Sequence, residues 1–187
     1  MKAVIAAAVL ALFSVPQAAT PSDTRGINDA VVAAIFKDGK GPLSFVVRAE
    51  YRPMVKPNNG IVAKLGSVPA ELFRKVEQAV ATPPAPGELH AAANFPAAAH
   101  IVPGEELTML VRGAPIGTNG YPALQEKYQT RDMLSFSRPV MTDDRLNVLV
   151  WYSHGCGSLC GSVGYVLLRR ETITSPWVST LLVVAVA

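Results

Sequence analysis

The chain has 187 residues and a formal net charge of +3, with 17 Lys and Arg set against 14 Asp and Glu, a balance that argues against a protein built around the phosphate backbone of nucleic acid. Half of the residues are apolar and 17% are charged, enough for a packed core and too apolar for disorder throughout. Two cysteines and three histidines exclude a multi-disulfide scaffold and make a four-ligand zinc site hard to assemble.

Met1-Lys2 carries one positive charge, residues 3–13 are an almost unbroken apolar run, Ser14-Val15-Pro16 breaks it, and Gln17-Ala18-Ala19 offers small residues for cleavage. This is the layout of a secretory signal peptide, and the run is too short for a bilayer, which needs about 20 residues. Residues 1–19 are therefore expected to be removed, leaving a mature domain of residues 20–187 that is periplasmic or secreted. Loss of Lys2 takes the charge from +3 to +2. No later segment reads as a membrane span.

Residues 27–37 predict an amphipathic helix, with Ile27, Ala30, Val31, Ala34 and Ile35 on one face. Residues 43–52 alternate, Leu43, Phe45, Val47, Ala49 and Tyr51 against a mostly polar set, and predict a half-solvated strand. Lys56-Pro57-Asn58-Asn59-Gly60 reads as a turn. Residues 69–80 predict a second helix striped by Leu72, Phe73, Val76 and Val80, and the prolines at 83, 84 and 86 stop it. Residues 88–104 are weakly patterned. Leu107, Met109 and Val111 suggest a short strand, Gly113 to Pro122 a loop, and residues 123–133 a helix or a loop. Strands are expected at Leu134–Val140, Leu146–Tyr152, Val163–Leu168 and Trp177–Val186, with the last apolar run, Leu181–Ala187, buried. Four strands at short spacing make an antiparallel meander, and helices before strands point to α+β. The expected fold is one α+β domain, N-terminal helices packed on an antiparallel sheet that ends in a four-stranded meander.

The one local constellation is Tyr152-Ser153-His154-Gly155-Cys156-Gly157-Ser158-Leu159-Cys160-Gly161-Ser162-Val163-Gly164, which holds both cysteines and reads as a hairpin loop. Four uses compete. Cys156 and Cys160 can form a local disulfide, favoured in an oxidising compartment and closing a loop worth ~2 kcal/mol at most. They can be a redox pair, with His154 lowering a thiol pKa, although three residues separate them rather than two. With His154 they can bind copper(I) or zinc, if His90, His100 or a distant carboxylate supplies a fourth ligand. One of them can be a nucleophile with His154 as base. The disulfide is the preferred reading, with His154 an exposed loop residue.

Elsewhere the residues have simpler roles. His90 and His100 are expected as loop or core histidines and Asp143-Asp144 as turn chemistry. Glu105-Glu106 and Arg169-Arg170 are expected to be solvated, the arginines forming at most a basic patch, and Trp151 and Trp177 to lie in the core. No phosphate loop, dinucleotide fingerprint or nucleophile elbow occurs, so neither a cofactor nor a metal is expected.

Gly120-Tyr121-Pro122, Leu134-Ser135-Phe136-Ser137-Arg138-Pro139-Val140, Leu146 to Tyr152, Cys156-Gly157-Ser158-Leu159-Cys160-Gly161-Ser162 and Tyr165-Val166-Leu167-Leu168 together resemble a group of uncharacterised exported bacterial proteins with a Cys-Gly-x-Leu-Cys-Gly hairpin loop. The likeness covers residues 120–178, with Trp177 in the place of a tryptophan strand; Pro139 and the long apolar tail depart from it. It implies a compartment and a fold, and no reaction. Together these observations predict a non-enzymatic structural or binding domain with a cell-envelope ligand or protein partner. The alternative is a hydrolase or thiol-redox enzyme using His154, Cys156 and Cys160. The first is preferred because no second acid, base or metal ligand is expected close to the loop.

Overall fold

A computed structural model describes residues 21–36, 44–85, 95–112, 121–157 and 160–186. The segment read as a signal peptide, His90 and Ala187 lie outside the described residues. The elements are α1 (Pro21–Ile35), β1 (Phe45–Arg48), α2 (Asn59–Leu65), α3 (Ala70–Ala81), β2 (Ala99–Val102), α4 (Gly104–Arg112), α5 (Tyr121–Tyr128), β3 (Met133–Phe136), β4 (Val140–Met141), β5 (Asn147–Gly157), β6 (Cys160–Arg169) and β7 (Val178–Val186).

Helices and a seven-stranded sheet make this an α+β fold, with strand order β2-β1-β3-β5-β6-β7 and the short β4 also paired to β5. The expected meander is present: β3, β5, β6 and β7 pair antiparallel in that order. The other half of the sheet is parallel, β1 lying between β2 and β3, so the whole sheet is mixed rather than antiparallel.

Both faces are covered. Ile27, Val31 and Ala34 of α1 pack with Phe45, Val47, Leu134, Phe136, Val148, Val150, Tyr152, Val166 and Leu168 on one face. On the other, Leu65 of α2 and Leu72 and Val76 of α3 cover Leu149, Tyr165 and Leu167. Leu107 of α4 and Leu124 of α5 cover Val46 and Val102. This corrects the half-solvated strand at 43–52: Phe45, Val46 and Val47 are all buried, as befits a parallel strand with helices on both sides.

Three further expectations change. Residues 107–111 are helix, not strand. The α4 N-terminus is held by Glu50, whose two carboxylate oxygens accept from the Gly104 N–H at 2.9 and 2.8 Å, and Met109 is 62% exposed on the outer side. The stretch read as a turn at 56–60 starts α2. Asn58 is its N-cap, its Oδ1 accepting from the Ile61 N–H at 3.0 Å. Asn58→Ala is expected to lower stability by ~1 kcal/mol, read from urea denaturation, because that amide loses its acceptor. Third, β7 is a strand but not a buried one. It is the edge of the sheet, with Val183, Val184 and Val186 at 42%, 47% and 77% exposure. Only Leu181 and Leu182 reach the cores, on opposite faces.

Asp143 and Asp144 lie in a turn, closed by the Arg145 N–H donating to the Thr142 carbonyl at 3.0 Å. Asp144 accepts from the Thr142 hydroxyl at 2.6 Å and the Leu146 N–H at 2.8 Å, and these two bonds hold its carboxyl below the ordinary carboxylate range. Asp143 pairs with Lys75. Glu106, expected to be solvated, pairs with Lys127 at 2.8 Å and with the Tyr128 hydroxyl. Arg169 and Arg170 are tied to backbone carbonyls, Arg169 to those of Leu65 and Ser67 and Arg170 to those of Arg145 and Ile173. Arg170 also stacks 4.3 Å from the Trp177 ring. The arginines thus bind this chain's own backbone. Trp151 and Trp177 are partly buried at the core margins. Among the described residues no helix is long and apolar enough to cross a membrane.

Candidate site at the β5–β6 hairpin tip

The thirteen-residue loop expected at 152–164 is mostly ladder. The β5–β6 pairing runs through Tyr152↔Gly164, His154↔Ser162 and Gly155↔Gly161 to Gly157↔Cys160, with a register shift between Gly155 and Gly157. The glycines serve close approach rather than a wide loop. A Cβ on Gly155 would overlap the Tyr121 hydroxyl, and Gly157 takes a φ of 144°, where other residues are strained. Cys156 is the last residue but one of β5 and Cys160 the first of β6; Ser158 and Leu159 between the strands lie outside the described residues. Cys156 and Cys160 are joined as a disulfide with Cα atoms 5.2 Å apart, and no described cysteine is free.

His154 is not an exposed loop histidine. Its side chain is 15% exposed, its Nε2 lies 2.7 Å from Oδ1 of Asp132, and the Phe36 ring stands edge-on to it at 5.3 Å. Asp132 arrives from the start of β3, which pairs antiparallel with β5 in the register Met133↔Gly155 and Leu134↔His154. Asp132 is the residue immediately before β3, next to the Met133↔Gly155 pair. A ligand atom from each of Asp132, His154 and Cys156 falls within 4.8 Å of the other two. From the α5 side, Tyr121 closes on the same strand. Burial pushes its phenol above the ordinary value, opposed by a backbone hydrogen bond with Gly157.

The structure therefore brings together three residues singled out in the sequence, His154, Cys156 and Cys160, and adds Asp132, which sequence reasoning missed. The inference that no acid lies near the loop is overturned. His100 does not join them; it is exposed on β2, 5.5 Å from the Tyr128 ring. An acid, an imidazole and a sulfur in series can orient a histidine, polarise a thiol or hold a soft metal; with the sulfurs joined to each other, only the first is open. No known protein family, curated protein or solved structure matches the chain.

Proposed function

We propose that this chain is an exported domain, periplasmic or secreted, that acts without catalysis as a structural or binding module, presenting the stapled β5–β6 tip to a cell-envelope ligand or protein partner. The observation that supports it most is the Cys156–Cys160 disulfide, a bond that persists in oxidising compartments and agrees with a signal-like N-terminus. Asp132 meets His154 and Tyr121 closes on Gly155, so the strand that leads to the disulfide is braced before any partner arrives.

The test is made on protein recovered from an exporting cell. The chain should begin near Thr20, and its unreduced mass should fall short of the reduced one by two hydrogens, with no thiol alkylated. An intact Met1 on exported protein, or a rapidly alkylated cysteine in the folded chain, refutes this reading. Replacing both Cys156 and Cys160 by Ser should lower stability by ~2 kcal/mol, the closure term for a loop of about five residues, and leave the fold intact by circular dichroism.

A second reading, a thiol-redox enzyme or hydrolase at His154, Cys156 and Cys160, gains support from Asp132, because the Asp132–His154 pair is the partner a thiolate needs. It requires a fast-reacting thiol after reduction and an activity lost in both Cys156→Ser and Asp132→Ala.

A further inference from the structure

We infer that reduction of the Cys156–Cys160 bond converts the hairpin tip into a zinc site whose ligands are Asp132, His154, Cys156 and Cys160. The inference needs only these four side chains and holds whether or not the domain is exported.

The donor set is the argument. Two thiolates, one imidazole and one carboxylate are all zinc ligands, and the three-residue gap between the cysteines lies within the two-to-four range of structural zinc sites. Tetrahedral ligand atoms around zinc stand about 3.3–3.8 Å apart. Asp132, His154 and Cys156 already place theirs within 4.8 Å, so an ion has only to part the 2.7 Å pair of His154 and Asp132 and draw the sulfur in, shifts of about 1 Å or less. Cys160 is positioned by the disulfide itself: its sulfur is now bonded to that of Cys156 and, once released, remains beside it because Gly157↔Cys160 closes the ladder there. Three of the four residues come from two paired strands and the fourth immediately precedes a third, so the backbone is in place before the metal. His154 is held by Asp132 on one side and the Phe36 ring on the other, and the partly buried imidazole has little freedom to lose.

The chemistry balances. A dithiol donor gives two electrons and two protons to the sulfur–sulfur bond, which breaks into two thiols while the donor becomes a disulfide. Zinc then displaces both thiol protons to solvent and binds between His154 and Asp132, the imidazole coordinating through Nε2 as its neutral Nδ1–H tautomer, so that the ring proton moves to Nδ1 and is not lost. The oxidised tip has no thiolate to offer. Staple and metal are therefore mutually exclusive closures of the same hairpin, selected by the redox state.

The test uses the full chain, unreduced or reduced with a phosphine that takes oxygen from water, dialysed against zinc and assayed for bound metal, with cobalt(II) as the spectroscopic probe. One zinc per reduced chain and none per oxidised chain is expected. Cobalt should give the thiolate charge-transfer absorption and the strong visible bands of a four-coordinate site. Asp132→Ala and His154→Ala should each weaken zinc binding at least about tenfold, since even outer-sphere partners cost 10–100-fold. Zinc on the oxidised chain, no zinc on the reduced one, or variants that bind as tightly as the parent would overturn the proposal. If a variant fails to fold, the cobalt spectrum of the parent chain decides, a weak six-coordinate spectrum counting against the site.

Discussion

Deletion of residues 178–187 is expected to leave a chain that does not reach a soluble folded state. The strand β7 is the outer neighbour of β6, pairing along it from Arg169↔Val178 to Ser162↔Val186. Behind it Tyr165 is 2% exposed, and Val166, Leu167 and Leu168 are fully buried. A fully buried side chain of this kind is worth ~1.5–3 kcal/mol, so partial uncovering of four of them, with loss of Leu181 and Leu182, consumes most of the ~5–15 kcal/mol that holds a domain together. The new edge, β6, is longer and more apolar than a sheet edge can safely be, so aggregation is the expected outcome. A truncated chain that stays soluble with an unchanged melting temperature would show that β7 is not needed to close the core.

Gly164→Ala is the single substitution expected to do most damage to the sheet. A Cβ at this position would overlap the Leu182 carbonyl oxygen of β7 and meet the Tyr152 ring at 3.1 Å. A backbone oxygen cannot rotate aside, so β6 and β7 must separate where the register already shifts, between Val163 and Gly164. Overpacking of this sort costs ~1–3 kcal/mol, and splaying the two strands places the loss at the upper end. Gly60→Ala is the matching control. Its Cβ meets nothing closer than Asn58 Oδ1 at 3.4 Å, and in a helix alanine is favoured over glycine by ~0.5–1 kcal/mol. Thermal denaturation should show the two alanines moving stability in opposite directions. Equal effects would mean that β6 and β7 do not approach this closely.

The elements that were legible in the sequence are those whose partners are near in sequence or whose pattern is strong. Helices α1 and α3 carry a 3.6-residue apolar period, and the meander joins neighbours through short turns. What was not legible depends on distant partners. Ala99-His100-Ile101-Val102 has little strand character of its own and becomes β2 by lying against β1, Val47 opposite Ile101. Leu107, Met109 and Val111 alternate as a strand would, but the helix begins at an amide that Glu50 holds from 54 residues away. The exposure of the tail run is hidden for a related reason: Val-rich sequence marks a strand without saying whether a second strand lies beyond it. At the site, both cysteines and His154 could be found because they cluster locally. Asp132 could not, because only the β3–β5 register carries it to Cys156.

The division of the sheet into a parallel and an antiparallel half also sets an order of assembly. The hairpins β5–β6 and β6–β7 close short stretches of chain and can form early, whereas β1 must wait for Leu134 to pair with Val47. The apolar face of α1 waits longer still, since Ile27 and Val31 bury themselves with Val148, Val166 and Leu168, well over a hundred residues further on. A ribosome emitting this chain from its first residue releases an amphipathic helix with nothing to dock on until the meander follows. Early segments of such a chain stay open through most of synthesis, and the sheet snaps shut only after its last strands have emerged.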